Sequence, residues 1–228
     1  MKQPQRVRVI NRVTRDRFAS ALRGFGPIGL LAIAVILAGS VAGPPFAAVL
    51  VFVWAWLSRT PWREIGFSRP KRWSTTLVIG IAFGILFKLV MKAVVMPLFG
   101  APAINPAYHY LAGNTAALPG MILAVIFGAG FGEEIFFRGY LFERLGKLFG
   151  AKAAILAITS LWFGLVHYQG QGVAGAEQAI ITGLVLGGVY LAAGHLWISI
   201  LAHIAFDLTA VAIIYFDVEA AVAHLVFA

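Results

Sequence analysis

Apolar and polar stretches alternate along the chain with a long period. Apolar runs extend from about Gly26 to Gly43, Phe46 to Leu57 and Thr75 to Phe99, and a fourth starts near Leu118. Three more cover roughly Ala153–His167, Ala179–Ala193 and Trp197–Tyr215. Crossing a ~30 Å hydrocarbon layer takes about 20 apolar helical residues, and most of these runs approach that length. The pattern predicts an all-α, polytopic transmembrane helix bundle of about seven to eight spans. The closing DVEAAVAHLVFA is too short to count as a full span. Pro44-Pro45 marks a tight turn between the first two runs, and a helical hairpin is expected to turn near Leu148–Ala151.

Composition excludes a soluble domain. Of 228 residues, 61% are hydrophobic and 12% charged, and the mean hydropathy is +0.88. Ordinary soluble chains sit near half apolar and a quarter charged. Cysteine is absent, which removes disulfides, thiol nucleophiles and thiolate metal sites, so a metal would have to use His, Asp or Glu.

The net charge of +9 invites a nucleic-acid partner until the bases are placed. Seven lie in residues 1–24, five between Arg59 and Arg72, and Arg144, Lys147 and Lys152 flank the predicted hairpin. These fifteen of eighteen bases fall on one side of the alternating spans, which the positive-inside rule makes the cytosol. The charge therefore describes topology and anionic-lipid contact rather than nucleic acid. The expected organisation is a basic cytoplasmic segment (1–24) and a single transmembrane domain (25–228). It would be a multi-pass plasma-membrane protein with a cytoplasmic N-terminus and a basic leader of prokaryotic style. Trp54, Trp56, Trp62 and Trp73 bracket the basic loop, while Tyr108 and Tyr110 mark the opposite face.

Subtracting the topological charges leaves Glu133, Glu134, Arg138, His167, His203 and Asp207 inside apolar stretches. A charge at mid-bilayer costs at least ~2.5–3.5 kcal/mol, so such residues face the bundle interior and have a task. Glu134 and Arg138 are four apart and suit an ion pair on one helix face. Glu133 diverges by about 100° on a regular helix and is left without a local cation. A buried carboxylate of that kind suits a general base, although an ion network of all three residues is the structural alternative. Folding at the predicted hairpin brings Glu133 and His167 to one depth, ~25 Å from its tip. Phe163 lies one turn before His167, and His203 and Asp207 are four apart on the last span. Lys88 and Lys92, in the outer part of the third span, are expected to snorkel. Gly183 and Gly187 form a GxxxG suited to close packing. His109, His195 and His224 fall in loops or the tail.

Taken in order, these pieces resemble the CPBP family, the CAAX-protease and bacteriocin-processing membrane proteins also called Abi proteins. EExxxR matches Glu133, Glu134 and Arg138; FxxxH matches Phe163 and His167; HxxxN or HxxxD matches His203 and Asp207. The glycine-rich GLVLGGVY at 183–190 resembles the third family motif, with Ile180 where an upstream Phe is expected, and GFSRP at 66–70 resembles the segment that precedes the family core. The likeness covers roughly residues 60–210. It implies an intramembrane endopeptidase in which Glu133 and His167 activate water and His203 and Asp207 stabilise the oxyanion, with a peptide or protein substrate at the membrane. Cofactor use stays open between none and zinc, the latter held by Glu133, His167 and His203. Asp207 can donate a hydrogen bond only when protonated, whereas Asn always can. That departure leans toward metal ligation or an orienting role on His203.

No HExxH, GxGD or rhomboid-type GxSG site is present. A non-catalytic membrane adaptor or bacteriocin-immunity protein, keeping the ionic cluster for structure, is the alternative of a different class. A proton or ion transporter would use the same carboxylates, but the chain lacks an inverted repeat.

Overall fold

A computed structural model describes the backbone of residues 5–227 and the side chains of 14–227. Lys2 and the side chains of Arg6, Arg8 and Arg12, part of the basic N-terminal segment, lie outside those residues. Among the described residues the chain forms eight helices and no strand: α1 Gln5–Arg23, α2 Pro27–Ala42, α3 Pro44–Ser58, α4 Trp73–Leu98, α5 Leu118–Phe149, α6 Lys152–Ala193, α7 Leu196–Tyr215 and α8 Glu219–Ala223. The protein is thus an all-α helical bundle.

Four helices, α4 to α7, are long and apolar enough to cross a membrane. Helix α6 holds both the fifth and the sixth apolar runs, and Gly172 breaks it with φ 65° and ψ −161°. Its two arms, 152–171 and 173–193, fold back on one another. A Cβ on Gly183 would come within 3.0 Å of Ser160 Cα, and one on Gly164 within 2.8 Å of the Ala176 carbonyl. The GxxxG glycines therefore let the arms touch, as small residues do in membrane packing.

The first two runs differ from full spans. Helices α2 and α3 have 16 and 15 residues, so each reaches only ~22–24 Å. They form a short hairpin turned at Gly43, whose tip meets α5 part-way along its length: a Cβ on Gly132 would lie 2.7 Å from Pro44 C. The basic segment bends away from α2 by 57°.

Helix α7 is the axis of the bundle. It runs parallel to α4 and antiparallel to α5, and glycines let both approach it. A Cβ on Gly80 would lie 2.8 Å from Leu201 Cβ, and one on Gly130 would lie 2.8 Å from Ile204 Cδ1. The start of α7 is fixed by the GFSRP segment. Gly66 takes φ +86°, and its carbonyl accepts the Leu196 N–H at 2.8 Å. Phe67 meanwhile packs edge-on against Trp197.

Candidate active site

Helix α5 is π-helical from Ala124 to Leu141, with i→i+5 hydrogen bonds through the whole acidic motif. The wider turn reduces the angle between adjacent side chains below the 100° of a regular helix. This corrects the expectation that Glu133 and Glu134 look in unrelated directions: both address His203 of α7, from opposite ends of its ring. Glu134 Oε1 accepts from His203 Nδ1 at 2.8 Å, while Glu133 Oε2 stands 3.8 Å from His203 Nε2.

The inner layer is held by Glu134 Oε1, while its Oε2 is buried without a hydrogen-bond partner. Glu134 is fully buried and its Oε1 also accepts from Arg138 Nη1 at 2.8 Å. Arg138 lies over the face of Phe163, 4.8 Å from the ring centroid, and reaches the Gly183 carbonyl at 3.4 Å. The i,i+4 pair thus ties α5 to both arms of α6 and holds the His203 ring. A carboxylate only accepts, so His203 Nδ1 carries the hydrogen and Nε2 is turned outward.

The outer layer faces a cavity of about 390 Å³ whose wall includes Glu133, His167, His203, Asp207 and Tyr108. Glu133 Oε2 is buried and accepts no hydrogen bond from the protein. Asp207 Oδ2 lies 3.7 Å from His203 Nε2, so two carboxylates flank that nitrogen. His167 bonds through Nδ1 to the Phe163 carbonyl at 2.7 Å. Because a carbonyl only accepts, that nitrogen bears the hydrogen and Nε2 of the neutral ring is an acceptor. Phe163 touches the rings of Phe137, His167 and His203 and is the common spacer of the site.

The sequence leaves cofactor use open between none and zinc, and the residues that would hold a zinc ion are Glu133, His167 and His203. Among the described residues no group of three or more His, Asp or Glu side chains is disposed to hold a metal ion. His203 Nδ1 is engaged with Glu134, while its Nε2 stands 3.8 Å from Glu133 Oε2 and 3.7 Å from Asp207 Oδ2.

Several cavity residues have surroundings other than those expected from the sequence. Tyr108, assigned to an interfacial belt, lines the cavity, and its hydroxyl accepts from Gln171 Nε2 at 3.4 Å. Burial, and then the charges of Asp207 and Glu133, push the Tyr108 phenol above its usual range, so it remains a donor. Lys88 and Lys92 do not snorkel. Lys88 is 7% exposed and faces the cavity. Lys92 meets Glu219 at 3.4 Å and the Ala103 carbonyl at 2.5 Å. Glu219 is itself buried and bonded to Asn105 N and His109 Nδ1, pinning the 99–117 loop and α8 across the cavity end. An acid in an apolar tail was the available signal, but nothing in the sequence paired it with Lys92.

Residues 115–209 match the family model of the type II CAAX prenyl endopeptidase Rce1-like proteins. No curated protein and no solved structure matches the chain. The matched segment holds Glu133, Glu134, Arg138, Phe163, His167, His203 and Asp207, so in this part the chain is similar to the CAAX-type membrane endopeptidases.

Proposed function

We propose that the protein is an intramembrane endopeptidase that hydrolyses a peptide bond in this cavity with water activated by Glu133 and His167. The observation that carries the reading is the environment of Glu133. Its Oε2 is buried, accepts no protein hydrogen bond and lies on the cavity wall shared with His167, 3.8 Å from His203 Nε2. Glu134 also has a buried Oε2 without a partner, but its other oxygen is paired with Arg138 and it is not on the cavity wall, which supports giving the base role to Glu133.

In the proposed reaction a water donates one proton toward Glu133 and another toward His167 Nε2. Its oxygen adds to the substrate carbonyl carbon as the water proton passes to Glu133. His203 in its imidazolium form, held by Glu134, presents Nε2–H to the developing oxyanion, and Tyr108 supplies a neutral hydroxyl donor on the same wall. Asp207 balances the charge on His203 rather than donating to the oxyanion. Collapse of the intermediate breaks the C–N bond, and the proton held by Glu133 leaves on the amine. No metal enters these steps.

The enzyme would sit in the plasma membrane with its N-terminus and basic loops in the cytosol. Its substrate would be a peptide or protein segment at the membrane, CAAX-type prenylated tails being the class named for the family. The test is Glu133→Gln in purified, detergent-solubilised protein, with products of a pool of short synthetic peptides read by mass spectrometry. Cleavage by the wild type and its loss by at least about 10²-fold in the variant, with unchanged thermal unfolding, is expected for removal of a general base. Wild-type rates in Glu133→Gln would sink the proposal.

A further inference from the structure

Lys88 is the cation that the chemistry above leaves unused. Its side chain is buried and on the cavity wall, with the ammonium 4.7 Å from the centroid of the Phe206 ring. It donates to Gln178 Oε1 at 3.2 Å, and among the described residues no carboxylate is in ion-pair contact with it, Asp207 and Glu219 acting on it only at longer range. Its neighbour Lys92 is paired with Glu219 and a backbone carbonyl, which shows that the fold can provide an acid at this depth. Removing an ammonium from water without a partner is costly, in lipid especially, so a retained one marks a place where an anion arrives.

The position of Lys88 narrows the anion. Phe206 and Asp207 lie one helical turn beyond His203 on α7, which sets the ammonium ~5–10 Å from the reacting centre. An extended peptide advances about 3.3–3.6 Å per residue, so that gap corresponds to two or three residues. We infer that Lys88, seconded by Gln178, binds a carboxylate of the substrate two or three residues from the bond to be cut. A carboxyl terminus is one source of this group, and an Asp or Glu side chain is the other. The inference rests on the peptidase reading and adds a substrate requirement to it.

The test uses full-length protein and three versions of one cleaved peptide: the free acid, the C-terminal amide, and the free acid with its Asp and Glu replaced by Asn and Gln. A buried charge-assisted hydrogen bond predicts that losing the recognised carboxylate lowers kcat/KM by about tenfold to a hundredfold, largely through KM. Sensitivity to amidation assigns the carboxyl terminus, and sensitivity to the side-chain replacements assigns an internal acid. In Lys88→Met the versions should be cleaved alike, and Lys88→Arg should recover the preference in part. Equal cleavage of all three peptides by the wild type, or a preference that survives in Lys88→Met, overturns the inference. Binding of the same peptides to Glu133→Gln protein, followed by tryptophan fluorescence, separates the two proposals. A Lys88-dependent preference in binding upholds the anchor even if no peptide is cut, and its absence overturns the anchor even if hydrolysis is real.

Discussion

Arg138→Met isolates the energetics of the inner layer. The Arg138 and Glu134 side chains are 2% and 0% exposed, and their contact is 2.8 Å, so water does not screen the pair. Charge centres about 4 Å apart attract by about 4 kcal/mol at an effective dielectric of about 20. Breaking such a pair from one side costs a similar ~3–5 kcal/mol, because the other charge is left buried. At 2–4 °C per kcal/mol for a chain of this size, thermal unfolding should shift down by roughly 6–20 °C. Removing both charges in Glu134→Gln/Arg138→Met should be milder. The stranded carboxylate is gone, and the chief remaining loss is the charge-assisted bond to His203 Nδ1, worth about 1.5–3 kcal/mol.

Both proteins should nevertheless be catalytically poor, since each disturbs the group that holds the His203 ring. Stability and activity would therefore rank the two variants differently. Unfolding can be followed through the six tryptophans in a mild detergent, at constant lipid and salt. A wild-type melting temperature in Arg138→Met, or a double variant that melts below Arg138→Met, would refute the reasoning.

Two further outcomes follow. Gly84→Ala should lower activity by about 10²-fold with the inner ion pair intact, because its Cβ would collide with the Ala202 carbonyl oxygen and lie 2.8 Å from Ala205 Cβ, forcing α4 and α7 apart beside His203. Steady-state kinetics beside thermal unfolding would show this as a loss in rate larger than the loss in stability warrants. Tyr108→Phe should reduce kcat by about 10²-fold, the loss expected for one oxyanion donor. Because the phenol is raised, it stays protonated to and beyond the ordinary pH of ~10, so wild-type rates should show no Tyr108-dependent decline below that value.

Much of the site could be read from spacing. The Glu134–Arg138 separation of four residues is met by a 2.8 Å contact, and the hairpin near Gly150 brings α5 beside the first arm of α6. What failed was an assumption of regular geometry. The 100° argument for Glu133 and Glu134 holds for 3.6 residues per turn, and α5 is π-helical there, which hydrophobic periodicity does not signal in so uniformly apolar a segment. Span seven could not be placed beside span four by counting. It is placed beside span four by Gly130 and beside span three by Gly80 and Gly84, glycines whose meaning depends on which helix they meet. Lys88 and Lys92 depart from the snorkelling expectation for a related reason: snorkelling supposes an accessible interface, whereas α8 and the 99–117 loop cover that end of α4.

The intramembrane charges sort into two kinds once their partners are known. Arg138 with Glu134, and Lys92 with Glu219, are matched acid to base, and each pair joins segments that would otherwise part. Glu133, Asp207 and Lys88 lack such a matched lysine or arginine partner, or carboxylate in the case of Lys88, and all three line the same cavity. Random retention of costly charges would not collect the unmatched ones in one place, since lipid penalises each of them wherever it sits. A packing role explains the first kind. On the proposed peptidase reading, a substrate that brings a peptide carbonyl and a carboxylate would supply what the unmatched groups lack: an electrophile for a water activated by Glu133 and a counter-ion for Lys88. Neutralising Glu133 or Lys88 should therefore alter turnover or selectivity while leaving stability unchanged or raised, the reverse of what neutralising Arg138 does.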